Sequence, residues 1–433
     1  MDAHTRAAIL AAVDEGFPAQ VDFTGRLVAQ ASFSGQEAAA QALMATELSS
    51  RGYEVDQWSF DAASLEHLPG YSPAVVSYED TFNVVGTLNR QSTSGRSLIL
   101  NGHVDVVPTG ELDRWTSAPF EPRVADGKLY GRGSGDMKAG LVAALFALEA
   151  IKRAGLEPLG RIHLQSVVDE ESSGNGTLAC VARGYAADAA LVIEPTAEDV
   201  FTAQMGILWF SVRIQGQPQH ASGFQGRAAN VIEKAFVLIQ ALQLLEQQCN
   251  EPARRHPAYA SHAHPLRLNV GQIEGGNWPS SSPGSCTFAG RLGVYPGQDP
   301  EEVAQMISRC VAEASSRDDY LKDHPPVVEF KGNRFSGYVP DRAEDAKAIL
   351  ADAHRASSGL ALREVAIPYG SDARVLGLTA GIPSLVYGPI SENLHGIDEA
   401  VDLESLRRVT GAIALFVGEW CGIVPRKHGK DNE

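Results

Sequence analysis

The sequence predicts an α/β protein with a mostly parallel central sheet and a smaller split-βαβ unit inserted into it. Apolar strand-like runs alternate with helical patterns in the first half of the chain and again near its end, the order that builds a parallel sheet. Between them, residues 204–333 change texture and read β-α-β-β-α-β, the order of a ferredoxin-like split βαβ unit. The 433 residues also exceed what a single compact core usually organises. The predicted division is 1–203 and 334–433 for the larger domain and 204–333 for the insert.

Composition narrows the function classes. A net charge of -17 argues against nucleic acid or an anionic membrane as partner. The five cysteines are odd in number and scattered, with neither zinc-finger nor disulfide-framework spacing. The start, MDAHTRAAIL, lacks the basic and apolar regions of a leader, and no apolar run reaches membrane-spanning length. A cytoplasmic protein is the expectation.

Taken in order, residues 1–31 read as a helix, and Ala39, Leu43, Met44 and Leu48 mark a second, closed by Gly52. Strands are expected at Tyr53–Phe60, Asn83–Leu88 and 98–107. The last carries LILNGHVDVVP, in which a period of two puts His103 and Asp105 on one strand face. An imidazole with a nearby carboxylate suits a metal ligand and the partner that fixes its tautomer. A polar loop, 108–128, leads to GRGSGDMKAG. Its glycine spacing is not that of a dinucleotide fingerprint, and its acid would repel phosphate. Asp136 stands where this loop meets an amphipathic helix ending near Gly155, a place that suits an N-cap as well as a metal ligand. The buried strand 161–168 ends in Asp169, Glu170 and Glu171, and the strand 189–193 ends in Glu194. Three apolar strands therefore finish in His, Asp or Glu. The carboxyl ends of a parallel sheet gather such residues into one crevice.

In the insert, GILWFSVRIQG alternates as a half-exposed strand, His220 follows, and 228–248 is a long helix. The Pro/His/Ala-rich stretch 250–265, with His256, His262 and His264, reads as exposed and flexible. Further strands are expected at 266–273, 286–294 and 327–330, with a helix at 300–316. After Pro340 come a helix at 345–358, a strand-turn-helix at 366–376, a strand at 384–387, the loop carrying His395, and a final helix at 403–420.

NGHVDVVP, GRGSGDMKAG, DEESSGNGT, VIEPT and SENLHGIDEAV, in that order and with HAS and GRLGVYPG between them, resemble the dinuclear zinc amidohydrolases. These include acetylornithine deacetylase, succinyl-diaminopimelate desuccinylase, aminoacylase and glutamate carboxypeptidase. The resemblance covers almost the whole chain and implies a zinc-peptidase-like catalytic domain with a dimerisation or lid insert. It implies that His103, Asp136 and Glu194 hold one zinc and Asp136, Glu171 and His395 the other. Glu170 would be the general base and Asp105 the partner of His103. It also implies a cis peptide after Asp136. The ligand chemistry agrees, since histidine and carboxylate suit Zn²⁺, with Co²⁺ or Mn²⁺ as possible substitutes. Two metals about 3.5–4 Å apart can polarise an amide carbonyl and activate a water.

By the same resemblance His220 would stabilise the oxyanion in the partner subunit's site of a homodimer built through the insert. Arg291 would bind a substrate carboxylate, and Ser371, Asp372 and Arg374 would lie near the substrate. By that resemblance, Glu194, as glutamate rather than the aspartate of the family's aminopeptidases, favours removal of an N-acyl group from an amino acid with a free carboxylate. The expected activity is N-acyl-amino-acid deacylation like that of acetylornithine deacetylase. Desuccinylase, carboxypeptidase or dipeptidase action and aryl-amide hydrolysis are alternatives, and a silent metal-binding protein is disfavoured because Glu170 is retained. Two departures from the family bear on the substrate. Ser280–Gly284 replaces a run that usually contains asparagine, and the 250–265 stretch is longer than expected.

Overall fold

The structure, a computed structural model, describes residues 1–89, 94–223 and 230–426. Its central sheet has six strands, in the order Glu54–Trp58, Asn83–Leu88, Ile162–Val167, Leu98–His103, Ala189–Val192 and Ser384–Val386. The last four run parallel, and the first two are antiparallel at one edge. The sheet is thus mixed around a parallel centre. Val84 joins the main core, whereas its neighbour Val85 packs with Val167 and Cys180 in a small cluster. Successive side chains point to opposite faces, so both faces of this strand are covered.

Helices Ala3–Val28, Ala38–Ser50, Ala139–Arg153, Glu344–Ser358 and Leu403–Cys421 supply the main core. Ala139–Arg153 is rich in Ala and Leu, good helix formers, and is buried almost throughout. Its Gly140 is there for close approach, since a Cβ would stand 1.9 Å from the carbonyl oxygen of Ile193. The helix that follows Asp136 is thereby pressed against the strand that delivers Glu194.

A second, antiparallel sheet is formed by Leu268–Gly275, Ser285–Val294, Gly206–Gln215 and Val327–Glu329, in that order. Helices Val231–Cys249 and Pro300–Ser316 pack into its separate core. The strand order is that of a split βαβ unit. The helix expected from 228 is described from Val231, and 228–229 lie outside the described residues.

Two expectations need correction. The strand expected over 98–107 ends at His103, so Asp105 lies beyond it rather than on the same strand face. The stretch 250–265 is mostly exposed or half-buried, as expected, but carries short helical turns at Pro252–Arg254 and Pro257–Tyr259. Tyr259 is fully buried and donates a hydrogen bond to the Ile367 carbonyl at 2.8 Å. A single aromatic anchor with a polar tip holds a segment whose other residues carry no apolar pattern.

Candidate metal centre and its cavity

The carboxyl ends of the parallel strands deliver His103, the Glu170–Glu171 pair and Glu194 to one crevice. Asp136 arrives from the turn Ser134–Lys138, and His395 from the loop before Ala400–Asp402. His103 Nε2 lies 3.2 Å from Asp136 Oδ1, 3.9 Å from Glu194 Oε1 and 4.0 Å from Glu170 Oε2. His395 Nε2 lies 3.3 Å from Asp136 Oδ2 and 3.1 Å from Glu171 Oε2. Asp136 thus turns one oxygen to each histidine, as a bridging ligand would. Two groups of possible ligand atoms lie within 4.8 Å: His103, Asp136 and Glu171, and His103, Glu170 and Glu194. Proximity therefore places Glu170 beside the ligand candidates, although the resemblance gives it a different task. The peptide between Asp136 and Met137 is cis.

Backbone contacts fix this arrangement. Asp105 Oδ1 and Oδ2 accept from the N–H groups of Glu170 and Glu171, each at 3.1 Å. The nearest partner of His103 Nδ1 is the Asp105 backbone carbonyl at 3.0 Å, with the carboxylate at 3.4 Å. Asp105 thus touches both elements that carry candidate ligands. Asp169 accepts from Tyr78 at 2.5 Å and from Ser172 and Ser173, which holds the start of the same turn.

Glu399 was not singled out by its sequence context. It is buried, its Oε1 accepts from the N–H groups of Gly135 and Asp136 at 2.9 Å each, and Arg132 donates to Oε2 at 2.5 Å. The GRGSGD loop is therefore a backbone cradle for Asp136, closed by a carboxylate from the far end of the chain. The only sequence signal was an acid four residues after His395.

The charges of the cluster do not balance. Burial pushes up the pKa of Glu194, with the Asp136 charge adding to it, and that of Glu170, with Asp372 adding. Burial likewise raises Glu171. For His103 burial opposes the charged form, but Asp105, Asp136 and Glu194 hold its pKa well above the usual value. The Glu171 charge raises His395 to about 11. Burial works against the Asp136 charge, yet bonds to His103 and His395 keep its pKa below the ordinary range. Four carboxylates share two imidazoles, an excess of negative charge in a desolvated place. That donor set fits divalent cations, which would replace the histidine protons.

The cluster opens into a cavity of about 480 Å³. Asp136, Glu170, Glu171, Glu194 and His395 line one part of it, and Ile207, Trp209 and Arg291 of the second sheet line another, together with Arg267 just before Leu268–Gly275. Phe335 and Tyr369 complete the wall. Trp209 and Arg291 are cross-strand partners. Gly332, at φ +78°, leaves room for the Trp209 ring, which stands 2.4 Å from where a Cβ would be. Asn333 ties the two sides together by donating to the Glu171 carbonyl at 3.0 Å.

Arg291 thus opens onto the same space as the metal-ligand candidates, whereas Ser371, Asp372 and Arg374 are buried and do not line the cavity. Ser371 donates to Gln204 at 2.7 Å, and Asp372 accepts from Thr177 at 2.6 Å. Arg374 lies over the Phe335 ring, 3.8 Å from Glu170 Oε1 and 3.5 Å from Asp372. These three stand behind the general-base candidate. His220 is exposed, with Ser222 donating to its Nδ1 at 3.2 Å, and it is absent from the cavity wall. Among the described residues, no helix is long and apolar enough to cross a membrane.

Residues 99–419 match Peptidase family M20/M25/M40, and the chain belongs to that family. It is 32% identical over 364 residues to N-formyl-4-amino-5-aminomethyl-2-methylpyrimidine deformylase of Halalkalibacterium halodurans, covering 79% of this chain and 84% of that protein. It is 28% identical to succinyl-diaminopimelate desuccinylase of Thioalkalivibrio sulfidiphilus, covering 92% and 99%. Among solved structures, the di-peptidase Dug1p of Saccharomyces cerevisiae superposes with a TM-score of 0.78 at 15% identity, covering 97% of this chain and 99% of that one. The family assignment bears out the resemblance drawn from the motifs to the dinuclear zinc amidohydrolases.

Proposed function

We propose that this protein is a two-metal amidohydrolase that removes a small acyl group from an N-acyl amino acid, with Glu170 as general base. The observation that carries the reading is the convergence of His103, Asp136, Glu171, Glu194 and His395 at the end of one cavity, with the Glu170 carboxylate beside His103 and Glu194. Zn²⁺ suits these donors, and Co²⁺ or Mn²⁺ could substitute. Bound there, the two cations would supply Lewis acidity for an amide carbonyl and acidify a water.

The chain's own residues do the rest. His103, Asp136 and Glu194 form one ligand set, and Asp136, Glu171 and His395 the other. Glu170 takes the proton of the attacking water and returns it to the leaving nitrogen as the C–N bond breaks. Arg374 and the Asp105 carboxylate hold the general base in place from behind. Arg291 receives a substrate carboxylate, because its guanidinium faces the cavity with no acidic partner among the described residues.

The printed activities of the relatives span formyl and succinyl groups, so the acyl group is set more widely than acetylornithine deacetylation alone. A second reading, amide cleavage on a flat heteroaromatic amine, draws on Trp209, Phe335 and Tyr369 in the cavity and on the deformylase likeness. The deciding experiment is a panel for the zinc-loaded protein of N-formyl, N-acetyl and N-succinyl amino acids, dipeptides and an N-formyl aminomethylpyrimidine. Turnover of the amino-acid amides supports the first reading, and turnover of the heteroaromatic amide alone supports the second. No turnover on any of them sinks both.

The proposal includes a homodimer through 204–333 in which His220 completes the partner subunit's site. What supports it is the exposure of His220 away from its own cluster, and the exposed apolar Phe236, Leu244, Ile273 and Trp278 on that unit. A two-fold interface would donate reciprocally. Mixing inactive His220→Ala and Glu170→Gln subunits should restore some activity, since one site of the mixed dimer carries neither defect. Proven exchange without recovery rules the shared site out.

A further inference from the structure

The cavity roof carries more positive charge than one substrate carboxylate requires. Arg267 and Arg291 both line it, and among the described residues neither guanidinium has an acidic or hydrogen-bonding side-chain partner. Elsewhere the arginines near buried acids are paired, as Arg132 with Glu399 and Arg374 with Asp372. Arg291 lies in Ser285–Val294, and Arg267 immediately precedes Leu268–Gly275, the antiparallel strand paired with it. Asn269 faces Arg291 across the ladder, and the Gly293 N–H donates to the Arg267 carbonyl at 3.2 Å. Both side chains line the one cavity, so the two guanidiniums open onto the same space.

The backbone that carries Arg267 is held tightly. The Asn250 side chain accepts from the Leu266 N–H at 3.0 Å and donates to the Leu266 carbonyl at 2.8 Å. Glu246 accepts from the Leu268 N–H at 2.8 Å. The side chains of Asn250 and Glu246 thus fix the point from which Arg267 projects. A guanidinium on a fixed stem that opens onto the cavity without an acidic partner among the described residues is a binding group for an anion.

We infer that Arg267 is a specificity-determining residue that selects substrates with a second carboxylate besides the one at Arg291. This rests on the reading of the cavity as an N-acyl amino acid site. The substrate class is a dicarboxylate amide. The second acid group belongs to the side chain of an N-acylated acidic amino acid or to a dicarboxylic acyl chain, and the chemistry at Arg267 is the same for both.

The test uses the full-length, zinc-loaded protein and reads ratios of kcat/KM. One arm compares N-acetyl-glutamate with N-acetyl-glutamine, and the other compares an N-succinyl with an N-butyryl derivative of one neutral amino acid. The wild type should prefer the dianion in one arm, which identifies the source of the second carboxylate. Arg267→Ala should lower that preference by about 10–100-fold, the scale of losing one charge-assisted contact. The loss should fall mainly on KM, and Arg267→Lys should recover part of it. Equal ratios in wild type and Arg267→Ala, or no preference in either arm, overturn the assignment. Calorimetric binding of glutarate against its monoamide to the same proteins separates this from failure of the amidohydrolase reading. If no amide is hydrolysed but glutarate still binds the wild type at least ten times more tightly than Arg267→Ala, the anion subsite stands. If glutarate binds both alike, it falls.

Discussion

The floor and the roof of the cavity are built on opposite plans. On the floor, carboxylates hold the backbone and flank the histidines: Asp105 fixes the Glu170–Glu171 amides, Glu399 fixes those of Gly135 and Asp136, and the histidines lie between carboxylates. On the roof Arg267 and Arg291 are anchored, among the described residues, through their backbones. The difference teaches where each task can live. Proton transfer and ion binding need atoms placed to a fraction of an ångström. Choice among substrates needs groups whose partners are supplied by the ligand.

If that contrast is right, damage to the floor should be severe and indivisible. Asp136→Ala should abolish activity and strip both metals, because its two oxygens serve both histidine-bearing sets. Metal content by elemental analysis after gel filtration checks this, and retention of two ions per chain would remove Asp136 from the bridging role. Glu170→Gln should keep the metals and lose about 10²–10⁴-fold in kcat, the usual worth of general acid–base catalysis. A near-normal rate would mean that another group activates the water, and loss of metal would make Glu170 a ligand.

Next in size is the pair behind the GRGSGD loop. Glu399→Ala leaves the buried Arg132 charge unpaired and frees two N–H groups, so a loss of about 3–5 kcal/mol is expected. Thermal or denaturant unfolding measures it. A change below 1 kcal/mol would show the loop holding Asp136 unaided.

The smallest effect concerns His395, which is half-exposed and screened. In the metal-free protein its pKa is raised by Glu171 to about 11. A raised folded-state value stabilises fully below the unfolded value of about 6.5 and is lost as pH climbs through 11. The Tm advantage of the chelator-treated wild type over His395→Gln should therefore be largest below about pH 6.5 and shrink steadily from there toward pH 11. Adding Zn²⁺ at pH 7 should release protons into a weakly buffered solution. A difference that grows with alkalinity would reverse the sign of the histidine contribution.

Much of the fold could be read from the chain because the parallel strands are buried on both sides and appear as apolar runs with a ligand-type residue at or just after the end. Ile162–Val167 followed by Glu170 and Glu171 is the clearest case. The four-stranded sheet of Arg123–Ala125, Lys128–Tyr130, Ser391–Glu392 and Ala400–Asp402 could not be read, since strands of two or three residues have no measurable period. Asp105 was expected on the His103 strand because alternation continues past the point where ladder pairing stops. Tyr259 was passed over because one aromatic in a Pro/His/Ala stretch does not announce burial. Glu399 was passed over because its meaning depends on a loop 260-odd positions away. Ser371, Asp372 and Arg374 were expected beside the substrate, and they lie one layer deeper, where their chain neighbours gave no hint of depth.

Asp105 has a consequence for how such a site can change over generations. Its carbonyl and carboxylate bind the fates of His103, Glu170 and Glu171 together, so substitutions among these residues should be strongly epistatic. Lineages can hardly explore that floor one step at a time. Drift toward a new acyl preference has an open road only across the roof, where an arginine can be exchanged without consulting its neighbours.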